Sequence, residues 1–153
     1  MKLLFIYPDV LNYALFKGSF YSGIASISAV LNEHIPGINI NLLHITKLVK
    51  QNYFLDKIEQ YKPDLIAFSS TANMYPYVKQ WSNWIKSFKN IGIICGGVHP
   101  TLCPDEVIGN ENIDFICRGD GELSMVDFCR KFINGNDVAA TEGIWTKKKT
   151  VAS

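Results

Sequence analysis

The run "IICGGVHPTLCPDEV" (93–107) passes from a β-branched apolar stretch through a glycine pair into a segment with two prolines and a lone imidazole. Three unbroken apolar residues, Ile93, Ile94 and Cys95, read as a strand shielded on both faces, because a strand with one wet face alternates polar with apolar. Gly96 and Gly97 open conformations closed to other residues and let a second backbone or a ligand come close. The pair suits a bare strand-to-helix turn equally well. Cys103 to Gly109, with Pro104 early, reads as a short helix.

The same grammar repeats along the chain. "KLLFIY" (2–7), "INLLHI" (40–45), "DLIAFSS" (64–70) and "DFICRG" (114–119) are further short apolar runs. Helical periodicity fills the intervals. Residues 22–34 place Ile24, Ile27, Ala29, Val30 and Leu31 around a mostly buried helix. Residues 52–61 align Phe54, Leu55 and Ile58. Residues 76–88 align Val78, Trp81, Ile85 and Phe88, with Pro76 in the first turn, and residues 121–133 carry Met125, Val126, Phe128, Cys129 and Phe132 on one face. Alternation of this kind predicts right-handed β-α-β crossovers and a doubly wound α/β fold. The expected architecture is a three-layer, flavodoxin-like or Rossmann-like five-stranded parallel sheet in the order 2-1-3-4-5. The trailing "EGIWTKKKT" (142–150) is expected to add a small edge strand.

Composition narrows the function. In 153 residues, 48% are apolar and 19% charged, which suits one compact soluble domain with a real core. The net charge of +1, from 15 basic and 14 acidic side chains, gives no broad pull toward nucleic acid or anionic membrane. Lys147-Lys148-Lys149 is the one charge cluster and reads as a solvated face. Four cysteines, Cys95, Cys103, Cys117 and Cys129, form no C-x-x-C pair and match no zinc-ligand spacing, so reduced thiols in a cytoplasmic protein are expected. No apolar stretch is long enough to span a membrane, and "MKLLFIYP" is too short for a signal peptide.

In a doubly wound sheet, ligands bind beyond the carboxyl ends of the strands, where the strand order reverses. Four loops converge there, and each departs from minimal turn chemistry. After strand one comes the long aromatic "PDVLNYALFKGSFYS" (8–22), and after strand three "SSTANMYP" (69–76). "GGVHP" (96–100) follows strand four and "RGDGE" (118–122) follows strand five. Ser69, Ser70 and Thr71 offer hydroxyls to a polar ligand or to the cap of the next helix. His99 suits a metal, acid–base work or simple positioning. Asp120 and Glu122 complement the dipole of the last helix. A phospho-receiver would need an aspartate where Ser69 stands. A flavodoxin would need a Ser/Thr/Gly phosphate loop after strand one, and no dinucleotide or P-loop fingerprint is present. No nucleophile–histidine–acid set is legible, since His34 and His44 fall within or at the end of elements.

Taken together, "GGVHPTLCPDEV", "IDFICRGDGE" and "DLIAFSSTANMYPYVKQW" resemble the N-terminal cobalamin-binding domain of cobalamin-dependent radical S-adenosylmethionine enzymes. That family includes the anaerobic magnesium-protoporphyrin IX monomethyl ester cyclases. The resemblance implies a cobalamin-binding domain over residues 1–135, with 136–153 as a linking edge strand. It implies a corrinoid tail held between sheet and helices, with the corrin ring across the rim. Ser69, Ser70 and Thr71 would line the tail pocket, Gly96 and Gly97 would give it passage, and His99 would fix its loop. Arg118 and Gly119 would join the same site, and the loop from Asp9 to Ser19 would face the corrin's lower side.

Two departures qualify it. Better-known cobalamin domains carry D-x-H-x-x-G after strand one, but Asp9 is followed by Val10 and Leu11, so cobalt would lack a protein imidazole. The C-x-x-x-C-x-x-C of the radical half is also absent. S-adenosylmethionine and a 4Fe-4S cluster would then belong to a radical domain of the same chain lying outside this sequence, and the fragment alone is expected to catalyse nothing. The competing expectation is a non-catalytic α/β module that has lost cobalamin. It would bind another ligand or a protein partner through Tyr13, Phe16, Phe20 and Tyr21.

Overall fold

The computed structural model describes residues 1–11 and 21–147. Six strands, β1 (Lys2–Pro8), β2 (Asn39–Ile45), β3 (Leu65–Ser69), β4 (Gly92–Gly96), β5 (Phe115–Cys117) and β6 (Ile144–Thr146), form one sheet. Their order is β2-β1-β3-β4-β5-β6. The first five are parallel, in the order expected, and β6 runs antiparallel on β5. The small edge strand expected in the trailing segment is β6, which makes the sheet six-stranded.

Six helices connect them: α1 (Ser22–His34), α2 (Gln51–Tyr61), α3 (Tyr75–Phe88), α4 (Val98–Leu102), α5 (Pro104–Ile108) and α6 (Glu122–Asn134). Side chains alternate across each strand, and this divides the core into two layers. Leu4, Ile6, Ile66, Phe68, Ile93 and Ile116 face α2 and α3, where Phe54, Ile58, Val78, Trp81 and Ile85 close over them. Leu3, Phe5, Leu65, Ala67, Ile94 and Cys117 face α1 and α6 and pack on Ile24, Leu31, Met125 and Phe128. The three layers follow directly.

Punctuation in the sequence explains several ends. Pro76 sits in the first turn of α3, and α6 stops at Gly135, which takes the left-handed conformation at φ +68°. Lys62 also turns left-handed, at φ 48°, immediately before Pro63. The short helix expected over 103–109 is α5, which Pro104 begins after the backbone breaks at Cys103. Three expectations need correction. Val98, His99 and Pro100 belong to a one-turn helix of their own, α4, rather than to a loop. α1 buries Ile24 and Leu31 but leaves Ala29 exposed, so it is half-buried rather than mostly buried, and Phe88 ends α3 in solvent.

The register sets the site. Ser69 pairs with Gly96, so β3 and β4 end side by side and their loops leave the sheet together. Among the described residues, no helix is long and apolar enough to cross a membrane.

Candidate functional site: a glycine-lined slot at the carboxyl edge

A cavity of about 380 Å³ opens at the carboxyl edge of the sheet, on the face covered by α1 and α6. That volume lies within the ordinary range for small-molecule sites. Its floor is Phe5, Ala67 and Ile94, and Ile24, Ile27 and Met125 wall it from the two helices. Polar groups gather at the mouth: Ser69, Thr101, Asp120 and Glu122. An apolar slot with few polar groups at its lip suits a large ligand whose flat, weakly polar portion goes in first.

Gly96, Gly97, Gly119 and Gly121 all line it, and they do different things. A Cβ on Gly96 would meet Cys117 Cβ at 3.6 Å and Cys117 O at 3.8 Å, both ordinary contact. A Cβ on Gly119 would meet nothing within 4 Å, although its φ of +72° favours glycine. At Gly97 a Cβ would meet Ser70 O at 2.8 Å and Ser70 N at 2.9 Å, with φ at +104°. Gly97 is thus required by the Ser70 backbone just beyond β3. A valine at Gly97 would strike the Ser70 backbone before it reached a ligand. Gly96 is the position where added bulk enters the slot.

The rim is tied together by residues the sequence left unmarked. Thr101 Oγ1 donates to Gly97 O at 2.8 Å and accepts from Gly119 N at 3.0 Å, which joins the loops after β4 and β5. Ser26 Oγ donates to Glu122 Oε1 at 2.8 Å, which joins α1 to α6. Thr101 stands one turn after Gly97, in a phrase read for its glycines and histidine. The i+4 back-bond of a threonine in a short helix was the available signal.

Of the nine residues expected at the site, Ser69, Gly96, Gly97 and Gly119 line the slot. The other five do not line it. Ser70 is buried and works on the backbone: its N donates to Gly96 O at 2.9 Å and its O accepts from His99 N at 3.0 Å. Thr71 accepts from the Ser70 hydroxyl at its carbonyl, and again from Met74 N and Tyr75 N as α3 begins. His99 packs against Tyr75, toward the opposite face, with ring centroids 4.6 Å apart. Arg118 lays its guanidinium 4.5 Å from the Trp145 ring centroid. Asp9 Oδ2 lies 3.0 Å from His44 Nε2.

The remainder of the 9–22 loop, including Tyr13, Phe16, Ser19 and Phe20, lies outside the described residues apart from Val10, Leu11, Tyr21 and Ser22. Tyr21 stacks on Tyr7 at 4.6 Å and lines the slot. It also lines a second cavity of about 360 Å³ between α1 and the β1–β2 edge. Burial pushes the Tyr7 phenol above its ordinary value, and Asp9 and Tyr21 add to the shift. Cys117, the thiol in the slot, is pushed up to about 11 by burial, with Glu122 adding to it. It remains a neutral wall group at physiological pH.

The comparisons agree with this geometry. Residues 21–128 match the family described as B12 binding domain. The chain is 32% identical over 82 residues to the anaerobic magnesium-protoporphyrin IX monomethyl ester cyclase of Synechocystis sp. (strain ATCC 27184 / PCC 6803 / Kazusa), which covers 52% of this chain and 16% of the cyclase. In fold it is similar to TsrM, a radical S-adenosylmethionine methyltransferase from Kitasatospora setae, with a TM-score of 0.81 at 13% identity over 97% of this chain and 28% of TsrM. It is likewise similar to OxsB, a cobalamin-dependent S-adenosylmethionine radical enzyme solved with aqua-cobalamin, with a TM-score of 0.79 at 15% identity over 94% of this chain and 20% of OxsB. The chain thus spans under a third of the length of each of these three relatives. A fold with its slot at the carboxyl edge, and a family match running from α1 into α6, lead to one conclusion: this chain belongs to the B12 binding domain family.

Proposed function

We propose that this chain holds a corrinoid at the carboxyl edge of its sheet and serves as the cobalamin-binding part of a radical S-adenosylmethionine methyltransferase or cyclase. One observation carries the reading. The slot between the sheet and α1/α6 is apolar, glycine-edged and open at Gly96, where a Cβ would meet only ordinary contact.

The residues present fit such a group. Phe5, Ala67, Ile94 and Met125 would enclose the nucleotide tail, Ser69 and Thr101 would offer hydroxyls at the lip, and Gly96 and Gly119 would leave its path clear. The apolar walls exclude water from the enclosed portion, and the Thr101 bridge holds the two flanking loops at fixed spacing. When bound, the corrinoid supplies the group-transfer or radical chemistry. Leu11 stands where D-x-H-x-x-G would put its histidine, so we assign cobalt no protein imidazole. S-adenosylmethionine and the 4Fe-4S cluster belong in this reading to a radical domain of the same chain. The small shares of the three relatives covered here support that assignment.

The test uses hydroxocobalamin. Protein at micromolar concentration is mixed with it and desalted, and the visible spectrum of the protein fraction is recorded. The wild type is expected to carry the corrinoid, and Gly96→Val is expected to lose it while keeping its circular dichroism and melting temperature. Absence of corrinoid from the wild type, both alone and in a longer chain containing the following domain, ends the proposal. Equal retention by Gly96→Val overturns the placement in the slot.

A further inference from the structure

On the other face of the sheet, at the same rim, a second group of side chains converges. His99, Cys103 and Glu106 follow one another at spacings of four and three residues, across the break between α4 and α5. One ligand atom from each lies within 4.8 Å of the other two. We propose that these three side chains bind a divalent transition-metal ion of the zinc class, at a site separate from the corrinoid slot.

His99 carries the argument. It is 9% exposed, and its Nε2 is shut off from water without a hydrogen-bond partner among the described residues. Leaving such a buried nitrogen unpaired costs about 1–3 kcal/mol. The ring is also fixed in place. Its backbone N donates to Ser70 O at 3.0 Å, and Tyr75 packs against it. The Tyr75 hydroxyl reaches on to Glu106 O at 3.5 Å, so one aromatic holds both ends of the α4–α5 unit.

Glu106 Oε2 lies 3.3 Å from the orphaned nitrogen, outside hydrogen-bonding geometry. A tetrahedral ion with bonds of about 2.0–2.3 Å separates its ligand atoms by about 3.3–3.8 Å. The observed pair already has that spacing. A His–Glu ion pair alone would account for Glu106 but leave Cys103 unexplained.

Cys103 and Glu106 are exposed, so small side-chain rotations bring them in and the fourth position stays open to water. Imidazole, thiolate and carboxylate together favour zinc or cobalt over magnesium or calcium, which take oxygen donors. On binding, the Cys103 S–H bond breaks, its proton goes to solvent and a sulfur–metal bond forms, with no change of oxidation state.

The experiment uses the tag-free chain without corrinoid, stripped of metal with a chelator and titrated with Co²⁺. The expected result is one equivalent bound, with the near-ultraviolet charge-transfer band of a cobalt thiolate and the intense visible bands of tetrahedral cobalt, both removed by Zn²⁺. Zn²⁺ should also protect Cys103 from alkylation. Cys103→Ser should lose the charge-transfer band, and Glu106→Gln should weaken binding about tenfold or more. Both residues are exposed, so neither change threatens the fold. Absence of these bands in the wild type, their persistence in Cys103→Ser, or alkylation unaffected by Zn²⁺ would each overturn the site.

Discussion

Gly96 and Gly97 stand next to each other and answer to different neighbours. Gly96 faces the slot across from Cys117, whereas Gly97 lies against the Ser70 backbone at a φ only glycine takes easily. Gly97→Ala is therefore expected to destabilise the protein by about 1–3 kcal/mol or more, read by chemical denaturation, and to lose corrinoid only through loss of structure. Gly96→Val is expected to do the reverse. A Gly97→Ala protein that melts like the wild type would show that Ser70 can retreat. The glycine pair was visible in the sequence, but its division of labour was not, because that depends on a contact with Ser70, 27 residues earlier. The same limit hid Thr101, whose second partner is Gly119, and Arg118, whose partner is Trp145. Each is a long-range pairing that local spacing does not encode. Cysteine environment is likewise a matter of single residues. Cys103 is exposed and the other three are buried, so native alkylation at neutral pH should label Cys103 fast and Cys95, Cys117 and Cys129 only on unfolding. Peptide mass spectrometry after a short pulse checks this, and early labelling of Cys117 would mean that the slot opens to solvent.

At the scale of elements, the apolar runs were enough to place every parallel strand, since strands covered on both faces need no alternation to be recognised. What they could not show was the break between α4 and α5, or the reversed direction of β6. A three-residue strand carries too little pattern to reveal its sense. α6 closes the slot on one side and is held by aromatic contacts. Phe128 is fully buried, 5.1 Å from Phe115 and 5.7 Å from Phe132, centroid to centroid. Phe128→Ala should cost about 3–5 kcal/mol, whereas Leu123→Ala on the same helix, 77% exposed, should be nearly silent. Urea titrations of the two variants decide it; equal losses would mean that α6 is not anchored through this face.

For the whole molecule, the buried thiols link stability to alkaline pH. Burial pushes Cys95 and Cys129 up to about 12 and Cys117 up to about 11, from an ordinary 9.0. The folded state then holds protons that the unfolded chain gives up above pH 9. Stability present below pH 9 is lost as the pH rises toward those values, at about 1.4 kcal/mol per pH unit for each thiol. Melting temperatures between pH 8 and 10.5 should fall more steeply in the wild type than in Cys129→Ala, after correction for the variant's lower starting stability. Parallel curves would remove the thiols as the cause.

The reversal at β6 has a practical consequence. Five strands run toward the slot's rim, but β6 starts beside Arg118 at that rim and runs back to Phe115. Lys147 ends beside Glu111, and Met1 accepts from Asn39 at the start of β1, so both ends of the described chain sit at the amino edge. A fluorophore, an affinity handle or a surface tether attached at Met1 or Lys147 is thereby carried on the far side from the ligand's doorway. Immobilised protein should present that doorway to solution unobstructed.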